Sequence, residues 1–322
     1  MTVPHVAVLE AFDGPTQARL RDIVGDRLRL VLIPDNGIQS RRNALAQADY
    51  AVVRSVPLEA ELVAGAPRLK LIHQWGTGTD GIPLDAAQGR GIVVARSPGL
   101  NAPSVADLTI GLMLAIRRRI PQADARIRAG GWAEPDLYSV GRDLCGAKVG
   151  LVGLGAIGRQ VMRRLLGFDC EIAYTRSSGP DPAVPGYMEL DQLIGWADVL
   201  SLHLPLSAPT RHLIDRNRLA RMPSGSFLVN TARGGLVDEV ALADALSAHH
   251  LGGAAIDAFS EEPPRPGNPL LSAPNVVLSA HSGGRCRENF HRIVRHWTVN
   301  ILAHSSGETL DPSCVVVQPE GL

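Results

Sequence analysis

Three residues far apart in the chain have side chains that could share one piece of chemistry. They are Arg233 in Asn230-Thr-Ala-Arg-Gly-Gly235, Glu262 in Asp257-Ala-Phe-Ser-Glu-Glu-Pro263, and His281 in Ser279-Ala-His-Ser-Gly-Gly284. An arginine fork can grip a carboxylate through two parallel hydrogen bonds. A histidine paired with a glutamate can pass a proton to or from a carbonyl oxygen, because the carboxylate orients the imidazole and favours its charged form. All three lie downstream of a glycine turn, Gly153-Leu-Gly-Ala-Ile-Gly158. A nicotinamide dinucleotide bound there would bring a hydride. Together these parts would reduce a 2-oxo acid or oxidise a 2-hydroxy acid.

The elements that must position these groups are legible as short apolar runs alternating with helical patterns. Strands are expected at Val6–Leu9, Arg29–Ile33, Ala51–Arg54, Leu69–His73 and Ile92–Ala95. A second set is expected at Lys148–Val152, Glu171–Thr175, Val199–His203, Ser226–Asn230, Ala254–Asp257 and Val276–Ser279. Runs apolar on both faces and separated by helices read as parallel sheets covered on both sides. The expected fold class is therefore α/β, with two Rossmann-like or flavodoxin-like parallel-sheet domains and an active-site cleft between them. Arg233, Glu262 and His281 each follow a strand, at the carboxyl edge where open α/β sheets bind ligands.

The break between the domains falls near Ser97-Pro-Gly-Leu-Asn-Ala-Pro103, where two prolines and a glycine interrupt regular structure. An apolar helix is expected over Ser104–Ile120. The basic run Arg117-Arg-Arg119 is expected at its end, favouring the helix dipole and facing water. A second long helix is expected over about Arg285–His304. If it packs back on the first unit, residues 1–102 and 285–322 form a discontinuous substrate domain, and residues 103–284 form the dinucleotide-binding domain.

Composition narrows the function classes. The chain has 322 residues, of which 45% are hydrophobic and 20% charged, enough for two cored domains. Lys plus Arg and Asp plus Glu number 32 each. That balance offers no attraction to nucleic acid or an anionic membrane. Cys145, Cys170, Cys286 and Cys314 form no CxxC pair, so neither a metal site nor a dithiol motif is expected. No apolar run approaches membrane-spanning length, and Met1–Ala11 lacks a basic segment followed by a long apolar stretch. A cytoplasmic location is expected.

The glycine turn has the context that such a motif needs: a strand ends at Val152 and a helix begins near Ala156. Gly153 permits the tight turn, Gly155 lets backbone approach a pyrophosphate, and Gly158 allows close packing of helix on strand. Ala156 and Ile157 open the helix whose free N–H groups face the phosphates. A domain selecting NAD usually has an acid about 20 residues beyond the turn, accepting from the ribose hydroxyl. Here Thr175 takes that place. Arg176 supplies a planar donor for a 2′-phosphate, and Ser177 and Ser178 add hydroxyls. Asp181 is set apart by Gly179-Pro180, and Glu171 falls too early. NADP is therefore favoured over NAD.

These motifs together resemble the D-isomer-specific 2-hydroxyacid dehydrogenase family over nearly the whole chain. The points of likeness are Val152-Gly-Leu-Gly-Ala-Ile-Gly158, His203-Leu-Pro-Leu206 with Thr210, Asn230-Thr-Ala-Arg-Gly234, Asp257-Ala-Phe-Ser-Glu-Glu-Pro263 and His281. The segment Gly76-Thr-Gly-Thr-Asp-Gly-Ile82 is similar to the family's substrate loop. The resemblance implies a homodimer through the cofactor domain and cofactor contacts from His203, Pro205, Thr210, Thr231 and Ala232. It also implies Asp257 near the nicotinamide carboxamide. Gly76, Thr77 and Gly78 would bind the substrate carboxylate through backbone N–H groups. The chain departs from the family in having Asp107 where Glu is usual and Asp80-Gly81 where Asp-Asn is frequent. Glu262 disfavours the formate-dehydrogenase branch.

The resulting expectation is a reductase of small 2-oxo acids, of the glyoxylate or hydroxypyruvate type. The rivals are a phosphite or D-3-phosphoglycerate dehydrogenase on the same scaffold and a dinucleotide-sensing corepressor. Trp75 and Trp132 are open between pocket lining, core and dimer contact.

Overall fold

The computed structural model describes residues 3–132 and 137–319. The chain divides into two compact units, residues 1–101 with 287–322, and residues 102–286.

The first unit is built on strands β1 (His5–Val8), β2 (Arg29–Leu32), β3 (Tyr50–Val53), β4 (Leu71–Gln74) and β5 (Val93–Ala95). The second uses β6 (Lys148–Val152), β7 (Glu171–Thr175), β8 (Val199–Leu202), β9 (Phe227–Asn230), β10 (Gly253–Ile256) and β11 (Val276–Leu278). A last strand, β12 (Val315–Val317), returns to the first sheet. The sheets are ordered β12-β5-β4-β3-β1-β2 and β11-β10-β9-β8-β6-β7. All pairings are parallel except β12 on β5. The antiparallel β12 was absent from the expected strands. It is only three residues long, and it follows a Pro- and Ser-containing stretch with no alternation to announce it.

In both sheets the chain starts in the interior, moves one strand outward, and then reverses past its starting strand. That order creates a switch point beside β1 and another beside β6, where loops diverge and leave a crevice at the strand carboxyl ends. The central strands β3, β4, β8, β9 and β10 are buried along their whole length. This is why their sequences are apolar on both faces instead of alternating.

Two helices differ informatively from expectation. The apolar helix of the second unit spans Ala102–Arg117 and stops before Ile120. Arg119 adopts a left-handed φ of 52°, and a separate helix, Ile120–Arg128, begins with Pro121 in its first turn. Proline disfavours helical geometry in the residue before it and removes a donor from the ladder. The basic run does not simply face water. Arg117 is buried, with its guanidinium 5.1 Å from the Phe227 ring and Nη2 donating to the Asp143 carbonyl at 2.5 Å. A long apolar stem lets an arginine cross the core edge and still satisfy its head.

The helix Arg287–Ser305 belongs to the first unit. Its Ile293, Val294, Trp297 and Ile301 are buried in one cluster with Val6, Leu20 and Leu71. Trp75 is also core, 5.4 Å from the Phe290 ring and 6.5 Å from Trp297. Trp132, by contrast, is 84% exposed. Trp297 is fully buried, so Trp297→Ala should lower unfolding free energy by about 3–5 kcal/mol. Urea denaturation of the folded variant checks this, and a loss under about 1 kcal/mol would contradict the packing role.

Candidate active site

The glycine turn lies between the ends of β7 and β8. Gly153 N–H donates to the Thr175 carbonyl at 2.9 Å, and His203 N–H donates to the Val152 carbonyl at 2.8 Å. Gly153 has φ 106°, and a Cβ there would stand 2.6 Å from the His203 carbonyl oxygen. A Cβ on Gly158 would overlap the Gly153 carbonyl, whereas none of the protein lies within 4 Å of a Cβ on Gly155. So two glycines are required by close packing and the third keeps backbone accessible. Gly155 caps the helix Ala156–Leu165, whose first N–H groups have no intrahelical partners.

His203 adds a second sign of a ligand surface. Its Nε2 is 3.0 Å from the Ser201 hydroxyl, while its buried Nδ1 has no hydrogen-bond partner within the protein. Burial pulls its pKa down to about 4, so the ring is neutral at physiological pH. These features fit a dinucleotide. Pro205 and Thr210 belong to the adjoining loop, where the Thr210 hydroxyl donates to the Pro205 carbonyl and accepts from Ser207 N–H, both at 2.8 Å.

Thr175 ends β7 and is buried. Arg176 follows, but its head is folded onto its own loop. Nε donates to the Gly179 carbonyl at 2.6 Å, Nη2 donates to the Pro180 carbonyl at 2.9 Å, and Nη1 is 3.3 Å from the Asp181 carboxylate. The Gly179-Pro180 break therefore does not set Asp181 apart, as the sequence suggested. It turns the chain so that Asp181 meets Arg176 and also Arg159, on the helix after the glycine turn. The bond from Arg159 is the chief reason that the Asp181 carboxyl sits below its ordinary pKa. Ser177 and Ser178 are exposed.

Arg233, Glu262 and His281 all lie in the second unit, past the ends of β9, β10 and β11. Asn230 shapes the first loop: its amide donates to the Arg233 carbonyl at 2.9 Å, and its oxygen accepts from Ala232 N–H at 3.1 Å. Within that turn the Thr231 hydroxyl pairs with Thr109 at 2.9 Å, and Arg233 Nη1 donates to the Ala232 carbonyl at 2.9 Å. Gly234 then lets the loop touch the next one. A Cβ at this position would overlap the Phe259 carbonyl carbon and Ser260 nitrogen.

Glu262 closes its own loop by accepting Phe259 N–H at 3.0 Å. Its two oxygens lie 2.9 and 2.8 Å from His281 Nδ1. A carboxylate can only accept, so Nδ1 carries the proton toward Glu262, and Nε2 is the nitrogen left to serve a reacting oxygen. Burial raises the Glu262 pKa. The bonds from His281 and Phe259, with the charges of His281 and Arg233, outweigh it, and the net shift is downward. The Arg233 charge is the smallest of these contributions.

Asp257 has a role that the motif did not reveal. It is 1% exposed. One carboxylate oxygen accepts from the Ser279 hydroxyl at 2.6 Å, Ser282 N–H at 2.8 Å and the Ser282 hydroxyl at 3.2 Å. The other accepts from Gly283 N–H at 3.0 Å, and the Asp257 carbonyl takes His281 N–H at 2.7 Å. Asp257 therefore clamps the loop that carries His281, which itself has a left-handed φ of 47°. The serines flanking His281 were the available signal: short hydroxyl side chains bracketing a histidine, with an acid at the end of the preceding strand.

Gly76, Thr77 and Gly78 lie in the first unit, just past β4. The Thr77 hydroxyl donates to the Ser97 carbonyl at 3.1 Å, and the Gly76 carbonyl accepts Ser97 N–H at 2.9 Å.

The Gly234 contact has a measurable consequence. Gly234→Ala must push the Arg233 loop from the Phe259 loop, which should cost about 1–3 kcal/mol of stability. Chemical denaturation checks it, and an unchanged midpoint would show that the two loops give way freely.

Comparison with known proteins points to one family. Residues 110–283 match the family model described as D-isomer specific 2-hydroxyacid dehydrogenase, NAD binding domain. A glyoxylate reductase of Thermofilum pendens is 39% identical over 78% of this chain and 76% of its own length. A D-3-phosphoglycerate dehydrogenase of Methanocaldococcus jannaschii is 39% identical over 76% of this chain, but the chain spans only 47% of that protein. A crystal structure of a protein from Thermus thermophilus superposes with a TM-score of 0.86 at 35% identity, covering 97% of this chain and all of the other. With the glycine turn, the Arg–Glu–His cluster and a family match over more than half its length, the chain belongs to the D-isomer-specific 2-hydroxyacid dehydrogenases.

Proposed function

We propose that this enzyme reduces a small 2-oxo acid of the glyoxylate or hydroxypyruvate type, with NADPH preferred. The observation that carries the reading is the Glu262–His281 pair at 2.8 Å. Arg233 grips the substrate carboxylate and polarises the adjacent carbonyl. In the first unit, the loop Gly76-Thr77-Gly78 offers backbone N–H groups suited to a carboxylate. The glycine turn, Ala156, Ile157, Thr175, His203, Pro205, Thr210, Thr231 and Ala232 would hold a nicotinamide dinucleotide, which would supply the hydride. His281 donates the proton that neutralises the new alkoxide, and Glu262 holds the imidazole ring and its charge. Asp257, besides clamping the His281 loop, would lie near the carboxamide of a bound nicotinamide.

A phosphoglycerate substrate has less support. The matched phosphoglycerate dehydrogenase is about twice as long as its shared segment.

The NADP preference rests on charge. No carboxylate occupies the place of Thr175. Arg159 and Arg176 share the single carboxylate of Asp181, leaving one positive charge for a 2′-phosphate. The enzyme acts as a homodimer through its cofactor unit. Exposed Ile120, Ile127, Trp132 and Tyr138 in that unit support an apolar contact surface. A cytoplasmic site is supported by four free thiols. Among the described residues, no helix is long and apolar enough to cross a membrane.

His281→Ala should slow reduction by roughly 10²–10⁴-fold while cofactor affinity holds. Steady-state kinetics with cofactor titration decide the point, and near-normal turnover would sink the role. Glu262 sits below its ordinary pKa, so its charge persists down through the usual carboxylate range and fades only on acidification through its depressed value. Glu262→Gln removes that charge at every pH. The imidazole then holds its proton less well, and reduction should fade at a lower pH than in the wild type. An unmoved pH profile would remove Glu262 from the proton transfer.

For the cofactor, catalytic efficiency with NADPH should exceed that with NADH, and Arg176→Ala should narrow the ratio by about 10-fold, roughly the loss of one charge-assisted contact. Both efficiencies measured on one 2-oxo acid test this. A wild type that prefers NADH, or a ratio unchanged in the variant, would reject the preference and leave the dehydrogenase intact.

A further inference from the structure

A chain of polar side chains in the first unit has no part in the chemistry above. Ser97 follows β5 and is 1% exposed. Its backbone makes two bonds to the Gly76–Gly78 loop: Ser97 N–H donates to the Gly76 carbonyl at 2.9 Å, and the Ser97 carbonyl accepts the Thr77 hydroxyl at 3.1 Å. Thr77 in turn accepts Gly99 N–H at 3.3 Å. So two of the bonds that hold the loop depend on where Ser97 is held.

Ser97 is held from the side by the helix Arg287–Ser305. Its hydroxyl lies 3.1 Å from His296 Nδ1. The other ring nitrogen of His296 is 3.6 Å from Cys314 Sγ, on the approach to β12, which pairs with β5. One helical turn further on, Asn300 donates to His73 Nε2 at 2.9 Å. His73 lies in β4, the strand that leads into the loop, and its Nδ1–H donates to the Gln74 carbonyl at 2.8 Å. The His73 and His296 rings meet edge to face at 5.7 Å. Residues four apart on one helix face therefore brace β4 and the end of β5, the two segments from which the loop hangs. A purely apolar contact would fill the same space without fixing the hydroxyl direction. Buried donors and acceptors with defined partners fix orientation as well as position.

We propose that His296 is a positioning residue for the substrate-carboxylate loop, acting through Ser97 to hold the Gly76 and Thr77 backbone in its binding orientation. This rests on reading Gly76–Gly78 as a carboxylate anchor. Burial lowers the His296 pKa, with Asp311 opposing, so the ring acts as a neutral bridge.

The test compares His296→Leu, which keeps bulk but no polar atom, with His296→Asn, whose amide can reach Ser97 as Nδ1 does. His296→Leu should raise KM for the 2-oxo acid by about 5–20-fold, the scale of one buried hydrogen bond lost. Turnover and KM for the dinucleotide should stay within about threefold. Hydrogen exchange of a peptide spanning residues 75–80 should speed up. His296→Asn should restore both readouts. Should His296→Leu fail to fold, Ser97→Ala removes the same bond from the other side and should show the same KM rise and faster exchange. Unchanged exchange in His296→Leu, or equal impairment in His296→Asn, would overturn the brace. Faster exchange with KM unmoved would overturn the carboxylate role of the loop instead, and with it the functional half of the proposal.

Discussion

A buried carboxylate must find donors, because removing it from water costs several kcal/mol unless hydrogen bonds replace hydration. Asp257 meets that demand by drawing in Ser279, Ser282 and Gly283. The loop they belong to is consequently fixed at both sides of His281, whose own N–H is taken by the Asp257 carbonyl. Only with that loop held can the imidazole lie against Glu262. Glu262, in turn, depends on the close passage that Gly234 allows between the Arg233 loop and Phe259. The proton-handling pair is thus the end of a series of satisfied polar groups, each of which would be costly to leave unmade.

Much of this was readable from residue types. The strands expected from apolar runs lie within two residues of the observed bounds, because buried parallel strands require such runs. The glycine turn was legible because Gly153 and Gly158 are demanded by steric contacts that no other residue tolerates. Arg233, Glu262 and His281 were legible because each closely follows a strand. What escaped was set by tertiary partners. Arg117 looked like a solvent-facing cation until Phe227 and the Asp143 carbonyl were brought beside it. Asp181 looked remote from Arg176 because a Gly-Pro break reads as a departure, whereas here it is a return. Asp257 was visible as an acid in a motif, but its donors lie more than twenty residues away.

Repeating one strand order in both units has a functional logic. Each sheet presents its loops at the carboxyl ends of parallel strands, and each has a switch point where adjacent loops part. The second unit uses that edge for the glycine turn and the Arg–Glu–His cluster. The first uses it for a glycine-rich loop whose rigidity comes from bonds to Ser97 and Gly99. A rigid scaffold with chemistry on its loops lets side chains vary without disturbing the cores.

The interrupted first unit also bears on how the molecule is made. The second unit is one continuous stretch, 102–286, whereas the first needs residues 287–322 to be complete. Trp297, Val294 and Ile301 fill a cluster whose other walls, Val6, Leu20 and Leu71, are synthesised far earlier. During translation that cluster lacks the side chains of this helix until it emerges, while residues 102–286 are one continuous stretch with cores of their own. Domains generally fold as units as the chain emerges. The order of completion is therefore inverted relative to the order of synthesis: residues 1–101 precede the second unit in the chain but are completed after it.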